Sequence, residues 1–287
     1  MRMSSSCVRK LRIYRIGLQR MVALALLMVS LIAALPVWAQ TFDEAKATYE
    51  HGDYAIAFES FRALAEQGDA DAQYNLGLMD KKGVGVPQDD LEAARLWRQA
   101  AEQGHAEAQC NLGVMYDEGR GVLEDAKEAV RWFRQAAEQG LAEAQFNLGL
   151  MYAQGRGVME DAGEAIRWYR QAAEQGHAEA QYKLGVMYQG GLKLPNIVAV
   201  SPTQYKLVYA EGRGMPEDAG EAVRWFRQAA EQGLAEAQYK LGVMYAEGRG
   251  VPEDAEEAVR WFRQAAEQDH AKAQWWLRLR GLVEDDP

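Results

Sequence analysis

The chain has 287 residues, with 42 acidic against 32 basic side chains and two cysteines, which excludes a disulfide-built miniature domain. Setting aside six basic residues in the first 39 leaves 26 bases against 42 acids, close to −16, a charge that repels nucleic acid and anionic lipid.

Residues 1–39 read as a cleaved secretory signal. Arg2, Arg9, Lys10, Arg12, Arg15 and Arg20 form a basic stretch without an acid, and Met21 to Leu35 is a 15-residue apolar core broken only by Ser30. Val37-Trp38-Ala39 then supplies small residues where a signal peptidase reads. The rival reading is an uncleaved anchor, for which the core falls short of the ~20 residues of a span. No cysteine stands directly after the core and no Arg-Arg pair precedes it, which argues against a lipoprotein and a twin-arginine route. The expectation is a periplasmic or secreted bacterial protein with no stable membrane association after cleavage.

Residues 40–68 form a divergent opening unit, with helices expected at Phe42 to His51 and Tyr54 to Gln67 around the short turn Glu50-His51-Gly52-Asp53. Regular units follow over 69–190. Gln73, Gln109, Gln145 and Gln181 lie 36 residues apart, and RWFRQAAEQ recurs at Arg131, Arg224 and Arg260, so the chain is a repeat array. Each unit reads as two helices, A starting near Ala70, Ala106 and Ala142, and B near Asp90, Ala126 and Ala162.

Helix B is amphipathic, with Ala129, Val130, Trp132, Phe133, Ala136 and Ala137 on one face and Lys127, Arg131, Arg134, Gln135 and Glu138 on the other. Asp125 with Glu128 predicts a capping box at its start, repeated as Asp89/Glu92, Asp161/Glu164, Asp218/Glu221 and Asp254/Glu257. Helix A has two apolar faces, Ala144, Leu148, Met151 and Tyr152 on one and Ala142, Phe146, Gly149, Leu150 and Ala153 on the other. It therefore needs neighbours on both sides, the packing of a stacked solenoid. Gly149, repeated at Gly77, Gly113, Gly185 and Gly242, reads as the point of closest helix approach.

The pattern breaks after Tyr188. Residues 191–203 form an irregular insert, strand-like or a loop, in place of the turn and helix B, and a shortened helix A is expected to restart at Gln204. The insert reads as a hinge or as a lesion, the latter preferred because a missing helix B uncovers apolar faces. Repeats resume over 204–270, and residues 271–287 supply a closing helix, Ala271 to Arg280, with Trp275 and Trp276.

The strings A-x-A-Q-x-x-L-G-x-M-Y-x-x-G-x-G-V at Ala142 to Val158 and D-x-x-E-A-x-x-W-(F/Y)-x-x-A-A-x-x-G at Asp161 to Gly176 resemble the Sel-1-like repeat family, relatives of tetratricopeptide repeats. The resemblance covers about Asp69 to Gln274. It implies an all-α fold, a right-handed α/α superhelical solenoid of about six helix-pair repeats, one of them degenerate, serving as a scaffold for protein or peptide partners. One cysteine-rich branch of the family implies a second reading, a weak β-lactam- or peptidoglycan-fragment-binding hydrolase, but its paired cysteines are missing here. Cys110 replaces the aromatic of Tyr74, Phe146 and Tyr182, so burial between units is expected for it.

Catalytic chemistry is not visible. His105, His177 and His270 occupy one inter-repeat turn position and do not converge as metal ligands; no cofactor or metal is expected. Arg120, Arg156, Arg213 and Arg249 in the Gly-Arg-Gly turns read as partners of the acids Glu124-Asp125, Glu160-Asp161, Glu217-Asp218 and Glu253-Asp254 and of the end of helix A. The stronger candidate is a binding ladder along helix A, formed by Asp71/Asn75, Glu107/Asn111, Glu143/Asn147, Glu179/Lys183 and Glu236/Lys240, able to hydrogen-bond an extended peptide. The plainer reading of the same stripe is a solvated helix face.

Overall fold

A computed structural model describes residues 41–190, 192–201, 204–215 and 217–282. The expected signal segment lies outside the described residues. The opening pair is α1 (Phe42–Glu50) and α2 (Tyr54–Glu66). Three regular pairs follow: α3 (Ala70–Lys82) with α4 (Asp90–Glu102), α5 (Ala106–Glu118) with α6 (Ala126–Glu138), and α7 (Ala142–Gln154) with α8 (Ala162–Glu174). Beyond them come α9 (Ala178–Gly190), the strands β1 (Leu192–Ser201) and β2 (Gln204–Met215), α10 (Ala219–Glu231), the pair α11 (Ala235–Glu247) and α12 (Ala255–Glu267), and the closing α13 (Ala271–Leu279). Each helix packs mainly against the one before it and the one after it, as an α/α solenoid requires.

The sequence pattern fixes these boundaries through its caps. Asp125 accepts from the backbone N–H groups of Lys127 and Glu128, the aspartates at 89, 161 and 254 cap in the same way, and Asp218 accepts from Glu221 alone. Only half of the expected capping box forms at these five starts. Glu128 turns away to pair with Arg131 at 2.8 Å, and the same i,i+3 pairing takes Glu92, Glu164, Glu221 and Glu257 to Arg95, Arg167, Arg224 and Arg260. A charged guanidinium one turn away is a better partner for the carboxylate than a neutral amide. The full reciprocal box occurs at the start of α1, between Thr41 and Glu44.

Helix A is covered on both sides. Ala144, Leu148 and Met151 of α7 join a cluster with Phe133 and Val130, while Phe146, Leu150 and Ala153 of the same helix join the next cluster with Tyr169 and Leu184. Trp132 joins Leu112 and Met115 of its own unit to Trp97 of the unit before, whereas Phe133 next to it clusters with Leu148 and Met151 of the unit after, so consecutive aromatics join consecutive units. The Phe133 ring lies against Gly113, where an added Cβ would stand 2.7 Å from Cδ1. The glycine makes room for a ring of helix B to lie directly against helix A.

The departure from the sequence reading is at the insert. No helix A restarts at Gln204: Gln204–Met215 is a strand, paired antiparallel with Leu192–Ser201, Ile197 opposite Leu207. Nor is a helix B missing. Helix α9 packs against α10, with Gly185 under the Phe226 ring and the Asp218 N–H donating to the Tyr188 carbonyl. In regular units that backbone bond spans nine residues, as from Asp161 to Tyr152; here it spans 30. The difference is a 21-residue insertion, and it corresponds to residues 189–209: joining Tyr188 to Ala210 restores QYKLGVMYAEGRG, the string found at Gln238 to Gly250. The segment from Gln204 has lost the glycine that admits the helix B ring, and a two-residue deletion rotates the residues beyond it by about 200° around a helix. A helix there has no groove to enter, and the array instead closes over a hairpin.

Candidate partner-binding surface

The five proposed rungs fall on five consecutive A helices. Asp71, Glu107, Glu143, Glu179 and Glu236 are exposed, and Asn75, Asn111, Asn147, Lys183 and Lys240, one turn later, are half-buried. His105 lies between the acids of the first two rungs, 3.2 Å from Asp71 and 3.3 Å from Glu107, and His177 between Glu143 and Glu179 at 3.0 and 3.5 Å. The Asn147 amide also lies 3.8 Å from Cys110 Sγ, the neighbour of Asn111 on the preceding A helix.

The histidines build that surface, a role hidden in their sequence position. His105, His177 and His270 each precede helix A, and their Nδ1 atoms accept from Ala108, Ala180 and Ala273 N–H groups at 3.2–3.3 Å. Nδ1 as acceptor leaves the proton on Nε2. That nitrogen lies 3.2 Å from Asp71, 3.0 Å from Glu143 and 2.9 Å from Glu236, each on the preceding A helix. The rings also stack on Tyr74, Phe146 and Tyr239 at centroid distances of 4.5–4.7 Å. The hydrogen bond from His177 holds the Glu143 carboxyl below its ordinary range, with Asn147 adding to the effect against opposing burial. One signal was available: acid and histidine are 34 residues apart in all three copies. Asp69 caps α3 in the place of a histidine, while Leu141 and Leu234 cap nothing.

Beneath the surface lies a second polar system that sequence reasoning used only as a period marker. Gln145 is 4% exposed, donates from Nε2 to the Ala137 carbonyl of the preceding helix at 3.1 Å, and accepts from Gln175 at 2.7 Å. Gln73, Gln109, Gln181 and Gln238 repeat the arrangement with Gln103, Gln139, Gln232 and Gln268. A buried amide satisfied at both ends ties each A helix to its own B helix and to the one before. Gln232 reaches Gln181 across the hairpin unit with the same geometry, at 2.8 Å.

The remaining candidates are structural. Arg156 pairs with Asp117 of the preceding turn at 2.9 Å and donates to its carbonyl, Arg120 pairs with Glu118, and Arg249 lies 3.6–3.7 Å from Glu247 and Glu217. These three arginines thus meet acids, of which only Glu217 belongs to the pairs expected, and the side chain of Arg213 lies outside the described residues. Their partners sit in the last turns of A helices, Glu118 and Glu247 on the arginine's own helix and Asp117 on the preceding one. Cys110 is 3% exposed, and burial, with Glu143 nearby, pushes its thiol up to about 12. Among the described residues no helix is long and apolar enough to cross a membrane.

The family model described as Sel1 repeat matches residues 70–105, 106–141, 142–177, 178–198, 201–234 and 235–270. The two matches around the hairpin correspond to one helix pair in space. Among solved structures the chain is similar to c5321, "a protective antigen present in uropathogenic Escherichia coli strains displaying an SLR fold", at 36% identity and a TM-score of 0.70 over 85% of this chain. A Sel1 repeat protein from Oxalobacter formigenes is similar at 34% identity and a TM-score of 0.68 over 81%. The chain spans 51% and 62% of the lengths of those two proteins. No curated protein matches it.

Proposed function

The chain belongs to the Sel1 repeat family, and from that premise we propose that it is a non-enzymatic scaffold of the bacterial envelope or exterior that binds protein or peptide partners along helix A. Sel1 repeats generally serve protein interaction. The observation that carries the reading here is the continuous polar stripe, with five exposed carboxylates on successive A helices. Three of them are held in place by histidines of the following unit, so part of the ordering cost of binding is met before a partner arrives. A row of fixed acceptors suits a ligand that presents N–H groups or positive charge, and Lys183 and Lys240 shift the far end toward acidic ligand segments.

The test is capture from envelope extracts by the wild type and by a protein carrying Asn111→Ala and Asn147→Ala together, both with native circular dichroism. Loss of captured partners in the double variant supports the surface, and an unchanged set refutes it. Export is tested separately, by fractionation of cells producing the full chain. Recovery in the cytoplasm with residues 1–39 still attached would refute the location without touching the binding surface.

A further inference from the structure

The first regular unit lacks two aromatic side chains that the others share. Tyr116, Tyr152, Tyr188 and Tyr245 end their A helices, and each hydroxyl takes a hydrogen bond from an arginine 18 residues earlier, as Tyr152 does from Arg134 at 2.7 Å. Asp80 stands at this position in α3. Likewise Trp132, Trp168, Trp225 and Trp261 share a place on helix B that Leu96 fills in α4. Where those rings are missing, a cavity of about 470 Å³ opens between α2, α3 and α4. Phe58, Leu76 and Leu96 supply apolar wall, and Arg62, Gln73 and Gln99 also line it.

Asp80 is 5% exposed and its Oδ2 has no hydrogen-bond partner. Arg62, which occupies the place of the arginines above, pairs with Glu59 at 2.9 Å and with Glu66 at 3.8 Å. Arg95 is taken by Glu92. Asp80 thus remains the lining charge without an ion-pair partner. Burial, then Glu92 and Asp89, push its carboxyl up to about 6 against the pull of Arg95, so it is still ionised at neutral pH. A buried carboxylate without a partner is costly, and a ligand that brings one positive charge removes the cost.

We propose that this cleft binds the cationic head of a ligand with a flat or slender apolar stem, an amidinium, guanidinium or protonated amine placed on Asp80 with its stem in the space of the missing rings. The head group arrives on a free small molecule or on an arginine or lysine side chain of a peptide. The lining carries three carboxylates, Glu66, Asp80 and Glu92, against the two guanidinium groups of Arg62 and Arg95, so its balance favours a cation over an anion.

The experiment is calorimetry at pH 7.5 with the full chain, using benzamidine, phenethylamine, an N-acetyl-arginine-amide peptide, and neutral benzamide as the uncharged comparison. Benzamidine or phenethylamine is expected to bind at about 1 mM or tighter, the range open to a fragment of this size. Binding of the peptide as well assigns the natural source to a side chain; binding of the free amines alone assigns it to a small molecule. Asp80→Asn is expected to weaken binding at least tenfold. Leu96→Trp, which restores the indole of the other units, is expected to abolish it with Tm unchanged or raised, and this variant carries the test if Asp80→Asn does not fold. Equal affinity for benzamide and benzamidine, undiminished binding by both variants, or no binding of any cation overturns the proposal.

Discussion

Replacing Gly113 by alanine sets two physical effects of opposite sign against each other. Gly113 lies inside α5, where alanine is the better helix former by about 1 kcal/mol, so propensity alone predicts stabilisation. The added Cβ, however, stands 2.7 Å from both Cδ1 and Cε1 of Phe133. Carbon atoms in contact lie about 3.5–4.0 Å apart, so the ring or the helix must move by close to 1 Å. Phe133 is 2% exposed, and its neighbours Leu148 and Met151 leave it little room to turn. Overpacking of this kind costs about 1–3 kcal/mol, and a close clash in a dense cluster belongs in the upper half of that range. The net expectation is destabilisation by about 1–2 kcal/mol after the propensity gain is subtracted. It is measured by urea unfolding followed by circular dichroism, with Gly113→Ala plus Phe133→Leu as the second variant. The double variant is expected to recover part of the loss from overpacking. A single variant more stable than wild type by about 1 kcal/mol would refute the reasoning, since propensity would then outweigh close approach.

Four further outcomes are expected. Gln145→Leu removes the bonds to the Ala137 carbonyl and from Gln175, and it should cost about 2–3 kcal/mol in the same unfolding measurement. Cys110 should resist iodoacetamide at pH 8 in the folded protein and react quickly in urea, because burial pushes its thiol up to about 12. For Asp80 the folded carboxyl titrates above the unfolded one, so the native state holds the extra proton between the ordinary value of 3.8 and about 6. Stability should therefore fall as pH rises through that window, and the urea midpoint of Asp80→Asn should follow pH less steeply there. Deleting residues 189–209 should give a folded chain at least as stable as the parent; a molten or aggregated product would show that the hairpin is integral to the stack.

The solenoid is legible in the sequence because its signals are local and repeated. The caps Asp125 and Asp161, the turn Gly155-Arg156-Gly157 and the two-faced pattern of Ala142–Gln154 each carry their own physics, and the helix boundaries follow within a residue. The hairpin is not legible in the same way, because the string from Gln204 resembles helix A in composition while missing the glycine and the phase that let such a helix dock. Which of two distant segments pairs with α9 is a question of packing, and the glycine missing from Gln204–Met215 gains its meaning only once the Phe226 ring is seen to lie against Gly185. The histidines look like plain turn residues for a similar reason: the partner of His177 is Glu143, 34 positions away. At Asp80 and Leu96 the signal is a departure from the repeat consensus, and it acquires meaning only once the side chains they replace are seen to touch.

Nearly identical copies stacked side by side are open to slippage. A helix pair displaced by one turn still presents alanine, leucine and an aromatic ring to its neighbour, and apolar contact has little directional preference. The glutamine thread is far less tolerant. One step of misalignment strands an amide in the interior with donor and acceptor both empty, at about 1–3 kcal/mol for each lost group. The thread thus acts as a ratchet that fixes which turn of one copy faces which turn of the next. Its unbroken passage from Gln181 to Gln232 is what allows the chain to carry a foreign segment there and still count its units correctly.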